Sequence, residues 1–137
     1  KQTIHLLKKN KILKLLSICK KKLNFNGRIL ILNLDPNKNE IPTFPLMKNI
    51  LKKSLKRDKK IFNSIIKNYP NIIFKNFIFK VKILKKNYLE MIKNRYISVL
   101  LNLNTKQINN GLNKISYKYR DKLNFRDRLI CLVIKNN

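Results

Sequence analysis

General acid–base and nucleophilic catalysis need titratable side chains held in pairs, and this chain of 137 residues has few to pair. It has one histidine, His5, and two cysteines, Cys19 and Cys131. Cys19 and His5 are the conceivable nucleophile and base. Cys19 falls on the apolar stripe of an expected helix, however, where a thiol is buried and inert. A single histidine excludes a multi-histidine metal site. Two cysteines exclude a disulfide framework and a four-cysteine site. The acids are Asp35, Glu40, Asp58, Glu90, Asp121 and Asp127. Asp121 and Asp127 each lie between cations, Arg120 and Lys122 for one and Arg126 and Arg128 for the other, which points to ion pairing. Glu40 sits in a proline-rich stretch and reads as a solvated loop residue. Asp35 closes an expected strand, the end at which an α/β sheet carries its ligand crevice. No catalytic, cofactor-binding or metal-binding residue follows from this inventory, and no cofactor is expected.

Cations are another matter. There are 33 Lys and Arg against 6 Asp and Glu, a formal net charge of +27. They gather at Lys8, Lys9 and Lys11, at Lys20, Lys21 and Lys22, and at Lys52 and Lys53. Further groups are Lys56, Arg57, Lys59 and Lys60, then Lys85 and Lys86, then Arg126 and Arg128. Ammonium groups on long stems suit phosphate contact as point charges. Tyr69, Tyr117 and Tyr119 lie beside cations, where rings can stack on unpaired bases. Lysine outnumbers arginine 27 to 6, and no aromatic strand motif for reading bases is evident. That combination favours contact with backbone and shape over base reading.

The chain has 21 Asn, 20 Ile and no Ala, the mark of an AT-rich gene. Codon bias accounts for much of the lysine but not for the missing acids, since Asp and Glu each have a codon with one G. A small domain ordinarily carries a net charge of about 2 to 8. At +27 a free domain repels itself, so a polyanion is expected alongside it. Nucleic acid is the densest candidate, because neutralised phosphates release counterions. An anionic membrane surface is the weaker candidate, since the charge is spread along the chain. No apolar run approaches the roughly 18 to 20 residues of a membrane-spanning helix.

The elements that must carry these residues follow from periodicity. Ile12, Leu13, Leu15, Leu16, Ile18 and Cys19 predict a helix over Asn10–Leu23, with Asn10 as its cap. Asn26-Gly27 is a turn, and the nearly continuous apolar run 28–34 predicts a strand covered on both faces, the pattern of a central parallel strand. Residues 36–45 hold three of the four prolines and form a loop. Leu46 to Asn68 predicts a helix with a basic outer face. Over Ile72–Leu84 the odd positions Phe77, Phe79, Val81 and Ile83 alternate with Lys80 and Lys82, a strand signal. Helices follow at Lys86–Asn94 and Thr105–Tyr119, the latter capped by Asn104 or Thr105. Phe125–Ile134 is the last strand. The sum is one α/β domain over residues 1–137, with a sheet of about three strands.

Gln2-Thr3-Ile4-His5, a helix, and then Leu23-Asn24-Phe25-Asn26-Gly27-Arg28-Ile29-Leu30-Ile31 follow one another as in a known family. The order resembles the second half of class I S-adenosylmethionine-dependent methyltransferases. There a segment ending in His closes the fourth strand, and an L-K-P-G-G-R-L-L-I turn leads into the fifth. Gly27 matches the second glycine of that turn, while Phe25 and Asn26 replace the proline and first glycine. Val81-Lys82-Ile83-Leu84 through Tyr88-Leu89 resembles the stretch before the final helix. Phe125 to Ile134 resembles the terminal hairpin strand. The resemblance implies a partial Rossmann-like methyltransferase sheet with flanking helices, and His5 at the mouth of the substrate site. It also implies a cofactor loop rich in glycine, but the only glycines are Gly27 and Gly111. The cofactor-binding half is absent from these residues.

These observations lead us to expect an RNA-binding structural subunit of a large ribonucleoprotein particle, with rRNA and neighbouring proteins as partners. An AT-rich gene and a degenerate enzyme fold suit a mitochondrial or other organellar ribosome. The alternative is the C-terminal part of an active methyltransferase whose cofactor half lies elsewhere.

Overall fold

The computed structural model describes residues 7–136. Helical and strand periodicities fall where the apolar residues put them. The elements are α1 (Lys9–Lys21), β1 (Arg28–Leu34), α2 (Pro45–Asn68), β2 (Ile73–Leu84), α3 (Lys85–Lys93), a 3-10 turn at Ser98–Leu100, α4 (Thr105–Lys118) and β3 (Lys122–Lys135). The chain is α/β, with a three-stranded open antiparallel sheet in the order β1-β3-β2 and flanking helices. Two of the expected local details are corrected. The residue capping α1 is Lys8, in extended conformation and without a side-chain hydrogen bond, so Asn10 lies inside the helix and caps nothing. The run 28–34 is not a central parallel strand. It lies at the sheet edge and pairs antiparallel with β3, Arg28 opposite Lys135 through Leu34 opposite Leu129. A continuous apolar run cannot by itself report its partner's direction, which the distant β3 supplies.

Contacts gather the chain into two compact units. One comprises, among the described residues, 7–38, 56–78 and 128–136. Its core joins Ile12 and Leu16 of α1, Ile61, Phe62 and Ile65 of α2, Ile31 of β1 and Leu132 and Ile134 of β3. The register explains the choice: Ile31 faces Leu132 and Ile29 faces Ile134, so these side chains share the face on which α1 and α2 pack. Leu30 and Leu32 point to the other face and are exposed, Leu30 at 59%. Asn26 takes the left-handed conformation of the turn before β1, with φ 61°. Gly27 is needed for space: a Cβ there would lie 2.8 Å from the carbonyl oxygen of Asn24. The Asn136 amide closes the unit by donating to the Gly27 carbonyl at 3.0 Å.

The other unit comprises Asn39–Leu55 and Phe79–Asp127. Its buried residues include Phe44, Met47 and Leu51 from the loop and the start of α2, Tyr88 and Ile92 from α3, and Ile108 and Ile115 from α4. Helix α4 opens on a capping box: Asn104 Oδ1 accepts from the Gln107 amide at 2.9 Å, and Gln107 Oε1 accepts from the Asn104 amide at 3.0 Å. Phe44 lies against Gly111, where a Cβ would meet its ring at 2.5 Å. Tyr88 donates its hydroxyl proton to the Pro42 carbonyl at 2.6 Å, and its oxygen lies 3.1 Å from the Tyr96 hydroxyl. Burial, reinforced by the neighbouring tyrosine, pushes the Tyr88 pKa far above the ordinary tyrosine range. Burial also raises Tyr96, with the Asp127 carboxylate adding to the rise.

Candidate nucleic-acid interface

The basic outer face of α2 follows from its stripe. Met47, Leu51, Leu55, Asp58, Phe62 and Ile65 recur every three or four residues and are buried. Lys48, Lys52, Lys53, Lys56, Lys59 and Lys60 are thereby turned outward and are exposed. A helix of 24 residues is about 36 Å long, so the ridge presents roughly one or two ammonium groups per turn. Lys59 is steadied by donating to Asn37 Oδ1 at 3.0 Å. Lys8 and Lys9 flank the start of α1, and Lys20, Lys21 and Lys22 its end; all five are exposed. The Lys20 ammonium stands 5.9 Å from the centre of the Tyr69 ring. Burial raises the Tyr69 pKa, with a smaller push from Cys19.

Other expected phosphate contacts are held within the fold. Arg57 forms an ion pair with Asp58 at 3.2 Å. Asp58 is buried, and its second oxygen accepts from Asn33 Nδ2 at 3.1 Å. A buried carboxylate requires such partners. Lys85 is half-buried at the first position of α3, directly after β2. Its ammonium donates to the carbonyls of Ser116 and Tyr119 at 3.2 and 3.1 Å and pairs with Asp121 at 3.3 Å. It thus caps α4, satisfying carbonyls left over at a helix end. Lys86 and Arg126 are exposed, whereas Arg128 is half-buried.

The candidate acids have local duties. Asp35 Oδ1 accepts from the amides of Asn37 and Lys38 at 2.8 and 3.3 Å, a side-chain turn that ends β1. Glu40 is not merely a solvated loop residue, because its Oε2 accepts from the Arg126 amide at 3.2 Å. His5 lies outside the described residues. Among those described, no group of His, Cys, Asp and Glu is placed to hold a metal ion, and no helix is long and apolar enough to cross a membrane.

The aromatic residues separate. Tyr117 is 96% exposed, while Tyr69 and Tyr119 are half-buried, each with a lysine ammonium near its ring. Sequence reasoning finds β2 as a strand but not the exposure of its rings. Phe77 and Phe79, which belong to the alternation that marks the strand, are both exposed, as are Ile73, Phe74 and Ile78. The signal was present in the run Phe74-Lys75-Asn76-Phe77-Ile78, where apolar residues occupy both parities of a strand that the sheet leaves at an edge. Compared with models of known families, the chain matches none, and no curated protein matches it.

Proposed function

We propose that this chain is an RNA-binding structural subunit of a large ribonucleoprotein particle, of the mitochondrial or other organellar ribosome kind. The observation that carries the proposal is the charge balance. Six carboxylates can neutralise at most six of 33 cations, and the ridge along α2 displays the excess toward solvent. Such a surface binds phosphates without reading bases, and rRNA supplies phosphates at high density. Neighbouring proteins of the particle are the second class of partner. The scaffold we infer is a partial, Rossmann-like methyltransferase half domain put to another use. The antiparallel last strand, β3, supports this, since the resembling segment in that family is a terminal hairpin strand. The active-enzyme alternative draws on exposed Leu30 and Leu32 of β1, a place where a cofactor-binding half could extend or cover the sheet.

A salt titration of RNA affinity tests the proposal. Each neutralised phosphate contributes roughly 0.7 to 0.9 to the slope of log affinity against log salt. With about six to ten phosphate contacts the slope falls near −4 to −9. A flat slope, or no affinity for RNA at physiological salt, would refute it.

A further inference from the structure

Four of the seven phenylalanines are exposed, and three of them, Phe74, Phe77 and Phe79, belong to β2. Core packing normally claims such rings first. Within residues 73–78 the exposure is general: Phe74 is 53% and Ile78 55% exposed, and Ile73 and Phe77 are also exposed. Alternation sets Phe74, Asn76 and Ile78 on one face of the strand and Ile73, Lys75 and Phe77 on the other. The strand is a sheet edge, which offers unpaired backbone groups to whatever lies beside it. No acidic residue occurs in β2 or β1, while Lys75, Asn76, Lys80 and Lys82 are exposed on β2.

An apolar edge strand of this kind invites an occupant, and the charge selects one. A second copy would bring +27 against +27. An anionic occupant with flat apolar faces matches both the lysines and the rings. Unpaired nucleotides have that chemistry, because a base can stack on an aromatic side chain while its phosphate meets an ammonium group. Duplex RNA does not, since its bases are already stacked and paired.

Building on the RNA-binding proposal above, we propose that residues 73–78 of β2 are a stacking platform for single-stranded RNA, with Phe74 as the principal ring. This adds a ligand class to the basic surface of α2, which makes no distinction between single strands and duplex. The platform contributes affinity that salt does not weaken.

The chain contains no tryptophan, so Phe74→Trp places a lone indole at the platform. Oligo(U), oligo(A) and an RNA duplex of equal length are titrated against it. Stacking quenches the indole with the single strands and leaves it unquenched with the duplex. Phe74→Leu keeps an apolar side chain at an exposed site but removes the ring. Its single-strand affinity falls roughly 5- to 150-fold, the range for losing one stacked base, with duplex affinity, salt slope and melting temperature unchanged. Full single-strand affinity in Phe74→Leu would overturn the platform while leaving the basic surface intact. Loss of all RNA binding by the unaltered chain would instead overturn the RNA reading itself, and the platform with it. An indole blue shift that grows with protein concentration alone would assign β2 to a second copy. The same shift with poly-glutamate, and no quenching by RNA, would assign it to an acidic protein strand. Either result overturns the proposal.

Discussion

Gly111→Ala sets two opposed effects against each other at one site. In an open helix the change is favourable by about 1 kcal/mol, because glycine loses more backbone entropy than alanine. Helix α4 is not open at this point. The added methyl would lie 2.5, 2.6 and 2.7 Å from Cε1, Cζ and Cδ1 of Phe44. Carbon atoms prefer about 3.5 to 4.0 Å, so the ring must retreat by about 1 Å. It is almost completely buried and has little room to do so. Overpacking of this kind costs about 1 to 3 kcal/mol, which outweighs the helix gain. The expected net loss is about 1 kcal/mol, or roughly 4 °C in melting temperature. Removing the ring must reverse the sign. Phe44→Ala alone costs about 3 to 5 kcal/mol, but in that background Gly111→Ala should stabilise by about 1 kcal/mol. Urea unfolding of the four proteins in high salt, where self-repulsion is screened, measures the cycle. A stabilising Gly111→Ala with Phe44 in place would refute the reasoning. So would equal effects in both backgrounds.

Four further outcomes follow from the same contacts. Replacing Lys52, Lys53, Lys56 and Arg57 together should flatten the salt dependence of RNA affinity, with Lys56 and its lysine neighbours contributing more than the Asp58-paired Arg57; the slope of log affinity against log salt checks this. Lys85→Met should leave that slope unchanged and cost about 1 to 2 kcal/mol of stability in urea, because its ammonium holds the end of α4. Tyr88 and Tyr96 have pKa values raised by burial, so the unfolded chain loses their protons first as pH rises past about 10, and stability that is full below that pH declines above it. Replacing both with Phe should shrink the alkaline decline seen in melts, and an unchanged decline would contradict the assignment. Calorimetry with S-adenosylmethionine at millimolar concentration should show no heat of binding to these 137 residues; micromolar binding would revive the enzyme alternative.

Among the described residues, every α-helix and strand was legible in the sequence to within a few residues, though not the 3-10 turn at Ser98–Leu100, and so was the outward ridge of lysines on α2. Both arise from spacing within one segment: a buried stripe at every third or fourth position forces the intervening lysines out, whatever the partner. The net charge of +27 is likewise a property of the chain alone. Pairing is not local. That β1 sits at an edge, antiparallel to β3, depends on a strand about a hundred residues away, and the run 28–34 holds no record of it. Coverage is not local either. Phe77 and Phe79 have the alternation of a core face, but their burial required another layer over β2, and the fold leaves both exposed. Charged groups divide in the same way. Lys85 and Lys86 are adjacent and alike in sequence, yet one reaches the carbonyls ending α4 while the other faces water. Asp58 reads as one acid in a run of cations, but the turn of α2 directs it inward to Asn33. Sequence determined which segments form and how much charge they carry. Tertiary structure decided which strand borders which, which apolar residues remain at the surface, and which cations are left to meet a phosphate, because those outcomes depend on groups brought together from distant parts of the chain.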